Sequence, residues 1–290
     1  MKGKIKKAIA GFYYVISGKE EYTAKARGVF KNTGITPLVG DDVDFEVTHR
    51  EDKEAVINKI YPRKNSFIRP PIANVDLMAI VVAVREPNIN YNVLDKFLVT
   101  AESKDIDVII CINKIDLAEE GETEKFLNVY EKIYPVYSIC GNSAEGTEEL
   151  KGAIKGRTVA FAGASGVGKS TVINLLKPGA NAETGRISNK TGRGRHTTRH
   201  VEIFEAGGGY IYDTPGFTSL DIDGNVDEMN LCYMFPEMTE YIKDCRFDNC
   251  KHINEPGCSV TEAVKNGEIS ESRYESYKLQ MKMIREKRTY

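Results

Sequence analysis

The sequence has no tryptophan, few histidines, and no apolar run near the roughly 20 residues that a bilayer-spanning helix needs. A membrane anchor is therefore not expected, and Met1-Lys-Gly-Lys-Ile-Lys-Lys leads into no secretory apolar segment. Cysteine is sparse: 6 in 290 residues do not make a disulfide scaffold. Three of the six crowd into residues 245–258, which favours a metal in a reducing compartment, so a cytoplasmic protein is expected. An excess of charge of one sign is also missing. Lys and Arg number 40 against 42 Asp and Glu, and a net charge of −2 gives no global argument for nucleic acid. Repeats and low-complexity segments are absent as well.

What is present is an ordinary globular composition, 41% hydrophobic and 28% charged, in a chain long enough for two to three domains. Charge is distributed unevenly. Residues 1–67 carry a net +4 and residues 68–150 a net −8, which hints at a basic appendage on a more acidic body. Residues 8–67 read as short strands between turns: Ala8–Ile16, a turn at Ser17-Gly18-Lys19, another at Gly40-Asp41-Asp42, then Val43–Val47 and Ala55–Tyr61. Five or so strands in this length predict a small barrel, with the five-stranded oligonucleotide-binding type among the options, and Pro70-Pro71 marks a linker.

The period then changes. Leu77–Val84, Val108–Ile112, Val136–Cys140 and Thr158–Ala162 read as buried strands. They alternate with helical patterns around Val93–Ala101, Glu122–Ile133, Glu148–Ile154 and Lys169–Leu176, which predicts a largely parallel sheet. Val201–Phe204 and Tyr210–Asp213 read as a hairpin, and Glu271–Arg288 as a charged terminal helix.

Three motifs carry chemistry. Gly163-Ala164-Ser165-Gly166-Val167-Gly168-Lys169-Ser170 has the pattern of a phosphate loop, with a strand before it and a helix beginning through Lys169, Ser170 and Thr171. Backbone N–H groups would cradle phosphate oxygens there, Lys169 would reach the β/γ phosphates, and the Ser170 hydroxyl would ligate Mg²⁺. Asp213-Thr-Pro-Gly216 ends a strand, where Asp213 can hold Mg²⁺ through water and the Gly216 N–H can meet the γ-phosphate. Between them lies the basic stretch Gly192-Arg-Gly-Arg-His-Thr-Thr-Arg199, from which Thr197 or Thr198 would close over metal and phosphate.

Asn113-Lys114-Ile115-Asp116 stands at a strand end, where open α/β sheets bind ligands. The Asp116 carboxylate can accept from both N1–H and the 2-amino group of guanine, and adenine offers no such pair. Ser138, at the end of the next strand, would support the base through its backbone. Base-reading motif before phosphate loop is the reverse of the usual order. Joining the ends of a GTPase domain and reopening it before the strand that leads to Asn113 gives this order.

The third motif is Cys245, Cys250, His252 and Cys258, three thiolates and one imidazole, a full set for one structural Zn²⁺. Cys111 and Cys140 lie on strand patterns and are expected in the core. His49 and His200 are lone histidines, expected at the surface or in packing.

Together these pieces resemble the circularly permuted, ribosome small-subunit-dependent GTPase A of bacteria, and the resemblance covers nearly the whole chain. The expected fold is multidomain. An N-terminal five-stranded OB-type β-barrel spans 1–67, a circularly permuted α/β P-loop GTPase domain 68–228, and a C-terminal mostly helical zinc-binding domain 229–290. The resemblance implies hydrolysis of GTP to GDP and phosphate, Mg²⁺ at Ser170, zinc at the Cys3His set, and binding to the small ribosomal subunit and its rRNA; a monomer is the default. Many GTPases place a water-orienting glutamine after the Asp-x-x-Gly turn, but Phe217 stands here, as an apolar residue does in this family. His196 is the candidate to position the water. Two other classes stay open: a P-loop metabolic kinase, and a GTP-regulated RNA-binding module with negligible hydrolysis.

Overall fold

The computed structural model describes residues 1–28, 30, 34–177, 201–217 and 225–288. The chain divides into two compact units. One comprises Met1–Met78, Thr147–Phe161 and Lys169–Phe217; the other Ala79–Gly146, Ala162–Gly168 and Thr218–Tyr290. Because the chain passes between them several times, each holds a non-consecutive set of elements.

In the first unit, β1 (Lys2–Ile9), β2 (Phe12–Ser17), β3 (Glu20–Ala26), β4 (Asp42–His49) and β5 (Glu54–Ile60) pair in the order β1-β2-β3-β5-β4, and β4 returns to β1. The expected barrel is thus closed, with β3–β5 its parallel pair. Period-2 alternation sends Ile5, Val15, Ala24, Val43, Phe45 and Ile57 into its core. One expectation fails. Ala8–Ile16 is not a single strand, because Ala10 (φ 49°) and Gly11 (φ 84°) both take the left-handed region and turn β1 into β2. The apolar residues on either side hid that turn. Pro70 and Pro71 lie between β6 (Ser66–Phe67) and β7 (Ile72–Ala73), which pair antiparallel, so the linker is itself a tight hairpin.

The same unit holds helices α3 (Thr147–Ile154) and α4 (Lys169–Leu176) and most of strand β11 (Thr158–Ala162). The expected hairpin is β12 (Glu202–Ala206) with β13 (Gly209–Phe217), and Lys7 of β1 faces Glu202 of β12. The buried Tyr212 hydroxyl donates to the carbonyls of Ala73 and Val39, tying this hairpin to the barrel. Asp213-Thr-Pro-Gly216 ends β13 as expected, with Phe217 its last residue.

The second unit holds most of β8 (Leu77–Ala83), which neighbours β9 (Asp107–Asn113), and β9 pairs in parallel with β10 (Val136–Ile139). Helices α1 (Tyr91–Glu102) and α2 (Glu122–Tyr130) accompany these strands, and Asn90 caps α1 by accepting from the Val93 N–H at 3.1 Å. The C-terminal part is mostly helical, with α5 (Thr239–Ile242), α6 (Ser259–Lys265) and α7 (Glu271–Arg288). Its core includes Leu231, Phe235, Val260, Tyr277 and Met281. Arg273 of α7 is fully buried. It forks onto Glu237 at 2.6 and 3.0 Å and reaches Asp95 of α1 at 2.6 Å, where Tyr130 of α2 also donates at 2.8 Å. Among the described residues, no helix is long and apolar enough to cross a membrane.

Candidate nucleotide and metal sites

β9 delivers Asn113 at its carboxyl end, buried and facing two backbones. Its Nδ2 donates to the Val167 carbonyl at 2.9 Å, and its Oδ1 accepts from the Gly141 N–H at 3.1 Å. Asn113 therefore braces the phosphate loop against the loop after β10, and its amide is committed to backbone. Close approach sets two of the loop's glycines. A Cβ on Gly168 (φ +94°) would lie 2.3 Å from Asn113 Nδ2, and one on Gly163 (φ +142°) 2.2 Å from the Val81 carbonyl.

Lys114 takes the left-handed region (φ 60°), and its Nζ donates to the Glu86 carbonyl. The 3₁₀ turn Ile115–Leu117 then presents Asp116 to solvent. One Asp116 oxygen accepts from the Cys140 thiol at 3.3 Å. Cys140 is buried as expected, yet it does more than pack. The signal that would have found it is register: β10 runs parallel to β9 with Ile139 opposite Asn113, so the next residue stands at the base-reading end. Ser138 is half-buried within β10, and its carbonyl lies so close to Gly146 that a Cβ there would approach within 2.0 Å.

In the phosphate loop, Ser165 and Gly166 are exposed, Ala164 is half-buried and Val167 is buried. Lys169 opens α4, and burial pulls its ammonium down to about 8. Ser170 and Thr171 follow, exposed, on the same first turn. Asp213 forms an ion pair with Lys177 at 3.0 Å. Phe217 is fully buried and meets Phe67 edge-on, with ring centroids 5.1 Å apart. The residue where a glutamine often stands is therefore a packing residue. His196, Thr197 and Thr198 lie outside the described residues.

The donor atoms of Cys245, Cys250, His252 and Cys258 all lie within 4.8 Å of one another. His252 Nδ1 is 3.5 Å from Cys245 Sγ and 3.4 Å from Cys258 Sγ, and those two sulfurs are 3.9 Å apart. A tetrahedral ion with bonds of about 2.3 Å to sulfur and about 2.0 Å to nitrogen requires edges of roughly 3.8 and 3.5 Å. The three donors of Cys245, His252 and Cys258 fit such an ion, and Cys250 Sγ lies within 4.8 Å of each of them. Burial pushes the Cys250 thiol up to about 12 and holds His252 below its usual range. A bound cation reverses that preference for the thiols, because it selects the thiolate. The Tyr274 and Tyr277 hydroxyls donate to the His252 and Lys251 carbonyls at 2.8 and 2.7 Å, so α7 clamps the ligand loop.

Residues 60–223 match the family described as RsgA GTPase, and residues 2–57 the RsgA N-terminal domain. The chain belongs to the RsgA GTPase family. The "Small ribosomal subunit biogenesis GTPase RsgA" of Alkaliphilus metalliredigens is 45% identical over 291 residues, covering 100% of this chain and 99% of that one. The relative of the same name from Caldanaerobacter subterraneus is 46% identical, over 99% of this chain and 97% of its own. Among solved structures, YloQ, described as a circularly permuted GTPase, is 37% identical with a TM-score of 0.81, covering 99% of this chain and 95% of that one. YjeQ from Thermotoga maritima is 34% identical with a TM-score of 0.84, over 98% of both chains. The order of residues 113–116 before 163–170 is therefore the permuted order of an RsgA-family GTPase.

Proposed function

We propose that this RsgA-family chain hydrolyses GTP to GDP and phosphate in the maturation of the small ribosomal subunit. The observation that carries the reading is Asn113. One buried amide holds the phosphate loop at Val167 and the base-end loop at Gly141, with the exposed Asp116 carboxylate beside it. The Val167 backbone of the phosphate loop and the base-reading end are thereby joined through one side chain. A metabolic kinase would account for the phosphate loop and leave the Asn113–Asp116 frame and the Cys3His set without a role. Family membership likewise speaks against an RNA-binding module that does not hydrolyse GTP.

In this reading Gly163–Gly168 wrap the phosphates, Lys169 compensates β/γ charge, and Asp116 reads guanine. Ser170 and Asp213 offer hard oxygen donors of the kind Mg²⁺ takes, so the residues present fit that ion. When bound, Mg²⁺ supplies charge neutralisation at the β and γ oxygens. Thr197 or Thr198 closes over the γ-phosphate, and the Gly216 N–H meets it. His196 positions the attacking water, a task that the packed Phe217 ring leaves open. The Cys3His set holds one structural zinc. The barrel meets rRNA on the subunit, and the protein works as a cytoplasmic monomer.

The test is base choice. The unmodified chain is expected to bind GTP far more tightly than ATP. Asp116→Asn is expected to weaken GTP and improve xanthine nucleotide binding, because the amide presents a donor where xanthine has a carbonyl. Equal affinity of the unmodified chain for ATP and GTP would overturn the assignment.

A further inference from the structure

We infer that Cys140 is a positioning residue for guanine recognition: its thiol holds the Asp116 carboxylate in the orientation that meets both N1–H and the 2-amino group of the base. The inference rests on the reading of Asp116 as the base-reading residue.

Asp116 stands on an exposed 3₁₀ turn, and rotation about its terminal bond is intrinsically broad. Among the described residues, the Cys140 thiol is the donor that reaches this carboxylate, at 3.3 Å from Oδ1. A carboxylate has about four lone-pair sites, so one thiol on one oxygen leaves both oxygens able to accept from a base. The thiol is itself held without slack. Cys140 is buried, and its N–H donates to the Glu145 carbonyl at 3.2 Å in an isolated bridge. The next N–H, that of Gly141, is fixed by Asn113. Gly146 closes the same turn against Ser138, where no Cβ fits. A mobile carboxylate is thus referenced to a rigid strand end through one weak donor. The chain has a thiol here where a hydroxyl would do the same work at shorter range.

The test compares equilibrium affinities of the full chain for GDP, IDP and ADP. IDP keeps N1–H and lacks the 2-amino group, so the GDP/IDP ratio reports whether Asp116 meets both donors. Cys140→Ala is expected to weaken GDP about three- to tenfold and IDP less, narrowing that ratio, while Cys140→Ser restores it. Should Cys140→Ala fail to fold, Cys140→Val keeps the site filled without the donor and takes its place. Equal loss of GDP and IDP affinity, or no loss, would overturn the positioning role. Tight binding of ADP by the unmodified chain would instead overturn the reading of Asp116, and this inference with it.

Discussion

Lys169 shows how one side chain couples the site to pH. Its ammonium is partly buried and held down at about 8, against an ordinary 10.5. An arriving phosphate restores the preference for the charged form. At pH 8 the nucleotide-free lysine is about half protonated and the bound one fully so, and GDP binding is expected to take up about half a proton. Affinity should then fall as pH rises through 8. Calorimetry at pH 8 in two buffers of different ionisation enthalpy measures the uptake, and a value near zero would contradict the account. In the nucleotide-free chain the same depression makes folding more favourable as pH rises from about 8 toward 10.5, where only the unfolded lysine still holds its proton. The motif residues at this scale were legible in the sequence because their spacing and their strand–helix flanks say what the backbone must do. Asn113 was legible as a candidate site residue but not as a brace, and Cys140 not as a donor. Both roles depend on which residue stands opposite across a parallel pair, and chain spacing does not carry that information.

At the scale of elements, α7 joins the Cys3His cluster to α1 and α2. Its sequence reads as a charged terminal helix, yet Arg273, Ser276 and Gln280 face inward with Tyr277, Met281 and Ile284. The pattern misleads because Arg273 is buried only by virtue of its partners, Asp95 and Glu237. Arg273→Ala leaves those two carboxylates without their cation and is expected to cost about 3–5 kcal/mol in urea unfolding. A loss below about 1 kcal/mol would mean that the pair is solvated. The Cys3His cluster makes a separate demand. Protein purified without chelator is expected to carry about one zinc per chain. Cys250→Ser should lose it and unfold the C-terminal segment while leaving GDP affinity largely intact. Metal-free protein with the same proteolytic resistance across residues 229–288 would contradict a structural role. Helix α4, by contrast, was read correctly from Lys169 to Leu176, since apolar spacing inside it and Pro178-Gly179 beyond it give local boundaries. The β1–β2 turn was missed for the opposite reason: Ala10-Gly11 sits inside an unbroken apolar run.

At the scale of the whole molecule, the permuted order makes the strand that carries Asp213 and Phe217 lead toward the C-terminal metal segment. Part of the positive charge of residues 1–67 is compensated by acidic partners among the described residues. Lys4 pairs with Asp42, Lys6 with Glu21, Lys7 with Glu202 and Arg63 with the buried Asp41. Partner choice therefore rests on more than bulk charge. Phe217, locked against Phe67, cannot hydrogen-bond a water, so the free chain is expected to be a slow enzyme, near 10⁻⁴ to 10⁻² s⁻¹, as for GTPases lacking an activator. A docked subunit would lower the barrier, and each tenfold gain needs only about 1.4 kcal/mol. Stimulated turnover, but not intrinsic turnover, should then depend on His196. The most direct measurement is the rate of GTP hydrolysis by the full chain with and without purified small ribosomal subunits. The account predicts a slow intrinsic rate that rises at least about tenfold when subunits are added. A free chain already at its maximal rate, unchanged by subunits, would contradict it.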